Sequence, residues 1–190
     1  SAENAYKNIG VEQGLNNNNI RSIIADRSDN LWIGTWGGKV IKYDIQSSRF
    51  TPIASLNEIV NPLVSSLMID QKNNLWIGTY EGIVIYDLDN GSIKTLRTID
   101  GLSDNDISCL FEDKKGRIWI GTKQKGVTMY DGKTFKKFNR ENGLNNTSIS
   151  SIAEDKMQHI WIGTEGGGAF VYDGKTFRNF KTKDGLVSDF

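Results

Sequence analysis

The chain has 190 residues, and its 23 basic and 23 acidic side chains leave a net charge of zero. That balance excludes the positive field that nucleic acid or an anionic membrane surface demands, so neither is an expected partner. No run approaches the roughly 18 apolar residues of a membrane-spanning helix, and the single cysteine, Cys109, cannot form a disulfide within the chain.

In chain order, the segment Tyr6-Lys7-Asn8-Ile9 comes first. It reads as the outer strand of a unit whose earlier strands are not in the sequence. A full unit then occupies residues 10–52. Gly14-Leu15 and an Asn-rich turn lead to an apolar run ending at Asp26, and after a polar turn comes Leu31-Trp32-Ile33-Gly34-Thr35. A variable loop follows, then a run ending in Tyr43-Asp44. The unit recurs over 53–98, 99–140 and 141–182. Its tryptophans, Trp32, Trp76, Trp119 and Trp161, stand 42 to 44 residues apart. The second copy departs from the others: it lacks the Gly-Leu pair, has a longer entry over 53–63 with Pro62, and is one residue shorter between Trp76 and Tyr86. In the third copy, Gly132-Lys133-Thr134 turns the chain into a fourth, half-polar run, Phe135-Lys136-Lys137-Phe138. Gly185-Leu186 opens a further unit over 183–190.

A period in the low forties marks one folding unit copied end to end. Four short runs per unit, rich in Ile, Val, Phe, Tyr and Trp and punctuated by Gly, Asn and Asp, predict four strands. No stretch keeps a 3.6-residue period over ten residues, so no helix is expected. The predicted fold is all-β: a β-propeller fragment of four four-stranded blades plus an extra N-terminal outer strand, a single partial propeller over 1–190. An open arc of this kind would expose an apolar sheet face at each end. Two copies are therefore expected to pair into an eight-blade ring, with residues 6–9 and 177–180 competing for the outer-strand position at each junction.

The aspartates Asp26, Asp70, Asp113 and Asp155 recur at every turn after the first run, as do Asp44, Asp87, Asp131 and Asp173 after each Tyr. Fourfold recurrence fits turn capping and not catalysis. The four repeat tryptophans are expected to lie buried between blades, with Trp36 more exposed. His159 has no second histidine to work with, and Gly166-Gly167-Gly168 lacks the Lys-Ser/Thr and helix of a phosphate loop. No catalytic residue, metal or cofactor is expected.

The variable loops carry what differs between copies. On one rim they gather Trp36, Tyr80, Glu81, Lys123, Gln124 and Glu165, with Asn18, Asn105 and Asn146 from the loops that open each unit. Aromatic rings with amides and carboxylates suit a sugar-like ligand. Turn chemistry is the other reading of the Asn and Gly residues. Trp36 is the strongest candidate.

The succession Gly-Leu, Asn-rich turn, Ile, Asp, Trp-Ile-Gly-Thr, Gly-Gly and Tyr-Asp resembles the two-component regulator propeller repeat, across essentially the whole chain. That family forms the sensor region of bacterial hybrid two-component histidine kinases. The resemblance implies an extracytoplasmic, periplasmic location and a binding role, with a carbohydrate or polysaccharide breakdown product as ligand. One alternative is an interaction or dimerisation scaffold without a small-molecule ligand. Another is a propeller lyase or glycosidase, which would need a unique cluster of acid, base or metal groups.

Overall fold

The computed structural model describes residues 9–37, 39–59 and 63–189. Tyr6, Lys7 and Asn8 of the expected N-terminal strand, together with Gly38, Pro62 and Phe190, lie outside the described residues. The rest forms four antiparallel sheets, each a meander in which successive strands are neighbours. Blade 1 holds β1 (Ile20–Ala25), β2 (Leu31–Thr35), β3 (Lys39–Asp44) and β4 (Arg49–Pro52). Blade 2 holds β5 (Val64–Ile69), β6 (Asn74–Thr79), β7 (Gly82–Asp87) and β8 (Ile93–Leu96). Blade 3 holds β9 (Ile107–Glu112), β10 (Ile118–Thr122), β11 (Val127–Tyr130) and β12 (Phe135–Phe138). Blade 4 holds β13 (Ile149–Glu154), β14 (Ile160–Thr164), β15 (Ala169–Tyr172) and β16 (Phe177–Phe180). The strands β1, β5, β9 and β13 pack side by side in that order, which puts the first strand of each blade innermost.

Each signature residue has a structural task. The repeat aspartate takes backbone N–H bonds from its turn with one oxygen and the tryptophan indole with the other. Trp32 Nε1 donates to Asp26 at 3.0 Å, Trp76 to Asp70 at 2.8 Å, Trp119 to Asp113 at 2.7 Å and Trp161 to Asp155 at 3.0 Å. The residue two before each repeat tryptophan joins the same carboxylate: Asn30, Asn74, Arg117 and His159. His159 is thereby accounted for as a turn residue. The threonine after Gly is buried in all four copies. Its hydroxyl donates across the hairpin to the carbonyl of Lys39, Gly82, Gly126 or Gly168. The glycine between Ile and Thr admits the next blade, since a Cβ on Gly78 would stand 2.8 Å from Ile107 Cγ2.

Three apolar clusters seal the three junctions. Trp32 and Val40 of blade 1 meet Val64, Leu67, Leu75, Ile77 and Val84 of blade 2. Trp76, Met68, Ile83 and Ile85 meet Ile107, Ile118 and Ile120. Trp119, Val127 and Phe138 meet Ile149, Ile160, Ile162 and Phe170. In each case the indole of one blade lies about 6 Å from the Tyr of the next: Trp32–Tyr86 6.0 Å, Trp76–Tyr130 6.2 Å and Trp119–Tyr172 6.0 Å.

Two expectations need correction. The chain does contain a helix, α1 (Ala54–Ile59), in the long entry to blade 2. Blades 3 and 4 are entered by a single 3-10 turn and a glycine of positive φ, Gly101 or Gly143, followed by a buried leucine, Leu102 or Leu144. Blade 2 lacks that Gly-Leu pair, and the fully buried Leu56 of α1 fills the same junction. The segment is too short for periodicity to announce it. The second correction is Trp161. Trp32, Trp76 and Trp119 are buried, whereas Trp161 is 36% exposed, more than the partly buried Trp36 that was expected to be the exposed one, because no sheet among the described residues covers that side of blade 4. At the other end, Ile20 and Ile23 of β1 are 39% and 54% exposed, while Val64, Ile107 and Ile149, at the position of Ile20, are fully buried.

Candidate ligand-binding rim

In blades 1, 3 and 4 the residue that follows Trp-Ile-Gly-Thr is pinned by its backbone. The Trp36 N–H donates to the carbonyl of Asn19, that of Lys123 to Asp106 and that of Glu165 to Ser148, each acceptor lying just before an inner strand. These bonds hold the second-to-third-strand loops beside the unit-opening loops, so both occupy one face as the sequence predicts. Trp36, Lys123 and Glu165, with Tyr80 directly after β6, take the same place in their blades, one at the end of each second strand.

The four side chains form a row. The rings of Trp36 and Tyr80 meet edge to face, with centroids 5.2 Å apart and planes at 89°. The Arg21 guanidinium carbon lies 4.6 Å from the centre of the Trp36 ring. Lys123 Nζ donates to Glu165 at 2.7 Å, and Ser148 Oγ donates to the other carboxylate oxygen at 2.9 Å. That bond to Glu165 raises the pKa of Lys123, with burial opposing it, and the same bond lowers that of Glu165. Asp106 sits close by with its Oδ1 buried and without a hydrogen-bond partner. Burial, reinforced by Asp104, raises its pKa against the pull of Lys123. Among the described residues no cluster of three or more His, Cys, Asp or Glu side chains is placed to hold a metal.

The expected site residues divide. Trp36, Tyr80, Lys123 and Glu165 come together, and Asn146 joins them by donating from Nδ2 to the Glu165 carbonyl at 2.9 Å. Asn18 and Asn105 do not join them as free ligands. Their Oδ1 atoms accept the N–H of Val11 and Thr98, seven residues back, and so close their own loops. Gln124 lines a separate surface hollow of about 390 Å³ with Ser103, Lys137 and Arg140. Glu81 is exposed and borders a small crevice with Arg97. Sequence reasoning missed Arg21, Asp106 and Ser148. Arg21 carried a signal, since its counterparts in the other copies are Ser65, Ser108 and Ser150.

The family model of the two component regulator propeller matches four times, over residues 14–37, 58–81, 101–124 and 143–166, together about half of the chain. A comparison with curated proteins finds no sequence match. Among solved structures, the extracellular domain of the hybrid two component system BT3049 from B. thetaiotaomicron matches with a TM-score of 0.79 and 27% identity. The match covers 90% of this chain and 24% of that one, so this chain spans about a quarter of it. The extracellular domain of BT4673 from the same organism matches with a TM-score of 0.72 and 21% identity over 88% of this chain and 25% of that one. A streptogramin B lyase shares the fold alone, with a TM-score of 0.68 and 14% identity over 88% of this chain and 56% of that one. No helix among the described residues is long and apolar enough to cross a membrane. Four family matches on four blades of one geometry establish that the chain belongs to the two component regulator propeller family.

Proposed function

We propose that this chain is a ligand-sensing part of the extracytoplasmic, periplasmic propeller of a bacterial two-component histidine kinase. It would bind a carbohydrate-like ligand on the rim without transforming it. The observation that carries the reading is the row Trp36–Tyr80–Lys123–Glu165, assembled from a loop position that differs in all four copies. The aromatic pair offers ring surface for a sugar's C–H groups, and the ion pair with Asn146 and Ser148 offers donors and acceptors for hydroxyls. The similarity to extracellular domains of two-component systems supports the setting. Thermal-shift titration with an oligosaccharide panel tests the reading. A ligand at 100 times its Kd stabilises by about 2.7 kcal/mol, and the shift should vanish in Trp36→Ala and Tyr80→Ala. A shift retained by both variants would place binding elsewhere.

A second reading, as an interaction scaffold, is favoured by the exposure of Trp161 together with Ile23. The Trp-bearing face of one blade meets the Ile- and Tyr-bearing face of the next at three junctions within the chain. The same contact joins the Trp161 face of one copy to the Ile23 face of another. Light scattering at micromolar concentration should then report twice the 21.3 kDa chain mass. A monomer at that concentration would remove this reading.

A further inference from the structure

Blade 1 departs from its copies at two positions, and the two side chains meet. Every inner strand begins with a bulge: Ile20 and Ser22 face consecutive residues of β2, leaving Arg21 as the extra residue between them. The same irregularity leaves Ser65, Ser108 and Ser150 in β5, β9 and β13. A bulge re-aims the side chain it carries and recurs beside functional sites. Three copies spend this position on a small hydroxyl, whereas blade 1 places a guanidinium there, 4.6 Å from the Trp36 ring centre. Trp36 in turn is the one indole at its loop position, against Tyr80, Lys123 and Glu165.

Charge along the row is uneven. Lys123 is engaged by Glu165 at 2.7 Å, with Asp104 and Asp106 nearby. Arg21 is exposed and takes no part in the three ion pairs found among the described residues. The row therefore offers free positive charge at its aromatic end and none at its lysine end. A guanidinium lying against an indole keeps N–H donors for an acceptor, and its planar fork matches a carboxylate in two-pronged geometry.

We propose that blade 1 makes the rim selective for acidic sugars: Arg21 receives the carboxylate of a uronic-acid residue, and the sugar ring lies along the Trp36–Tyr80 pair. This rests on the rim reading above and narrows it to one ligand class. A peptide carboxylate would satisfy Arg21 but leave the aromatic pair without a ring, which favours the sugar.

Calorimetric titration of the protein with galacturonan, glucuronan and mannuronan hexamers, their carboxyl-reduced forms, and hexaglutamate tests it. At least one acidic hexamer should bind about tenfold or more tightly than its reduced form. Arg21→Gln should abolish that preference while leaving weak binding of both forms, Arg21→Lys should restore it only in part, and Trp36→Ala should weaken both. Equal binding of acidic and reduced forms, or a preference that survives Arg21→Gln, overturns the inference and leaves the rim reading intact. Hexaglutamate binding as tightly as the best acidic sugar overturns the sugar class. No binding by any hexamer removes the rim reading and this inference with it.

Discussion

The junction between blades 3 and 4 and the open side of blade 4 are built from the same parts, yet only one of them is sealed. Trp119 and Trp161 each donate to a turn aspartate, at 2.7 and 3.0 Å. Each also stacks on an outer-strand phenylalanine of its own blade, Phe138 at 5.6 Å and Phe180 at 5.4 Å. The difference is Tyr172, which closes over Trp119 from the next blade. Trp119 is fully buried and Trp161 is 36% exposed. A blade therefore positions its tryptophan alone, while the neighbour removes it from water. Stability in such a repeat array is mostly a property of junctions.

Substitution of the two tryptophans puts the largest expected effect on that distinction. Trp119→Ala should cost about 3–5 kcal/mol, as for a large buried aromatic, and Trp161→Ala about 1 kcal/mol, as for a partly exposed site. Urea unfolding followed by far-UV circular dichroism measures both. Equal costs would mean that something covers the Trp161 face in solution, and a concentration-dependent midpoint would identify a second copy.

The turn aspartates sharpen the same contrast at smaller scale. Asp113→Ala leaves the buried indole N–H of Trp119 without an acceptor, at about 2–3 kcal/mol. Asp155→Ala should cost clearly less, because water can reach the indole of Trp161. The two values measured side by side separate the hydrogen bond from the burial. A cost for Asp155→Ala matching that of Asp113→Ala would show that exposure does not decide.

Most of the fold was legible because each signature residue recurs in every copy with the same task. The Asp, Trp, Thr and Gly positions reproduce in every copy, and strand boundaries follow from them. Trp161 was misread because repetition reports what a residue is and not what lies beside it. Helix α1 was missed because six residues give no period, although Leu56 does the work of Leu102 and Leu144. At the rim, the variable position after Thr led to Trp36, Tyr80, Lys123 and Glu165, which the structure brings into two contacting pairs. Asn18 and Asn105 look like ligand amides in sequence, and only the structure shows their oxygens closing their own loops. Arg21 was visible only as a departure from serine at a bulge, and the bulge itself appears only in the register.

Acid should loosen the turns before it touches the apolar junctions. Burial works against ionisation of Asp26 and Asp113, yet bonds from the tryptophan indoles and turn groups outweigh it and hold both below 3.8. The Thr134 backbone bond leads in bringing Asp131 down to about 2. A depressed carboxylate stabilises the fold above its unfolded pKa and loses that contribution as protons are taken up below it. The urea midpoint should thus be level from about pH 5 to 7 and fall below about pH 4. Asp113→Asn should flatten part of that fall. A midpoint that rises on acidification contradicts the assignment.

The smallest effect is expected where blades 3 and 4 touch on the rim. Lys123 and Glu165 bridge the same junction that Trp119 seals, but their side chains remain 36% and 51% exposed. An ion pair that open to water contributes about 0–1 kcal/mol and is screened by salt. Glu165→Gln should therefore shift stability by less than about 1 kcal/mol, and that small shift should shrink further in 1 M salt. The junction is held by its core, so the rim pair is free to exchange its partner for a ligand without loosening the blades. A loss of several kcal/mol in Glu165→Gln would make the pair a structural clasp and take Lys123 and Glu165 out of the candidate site.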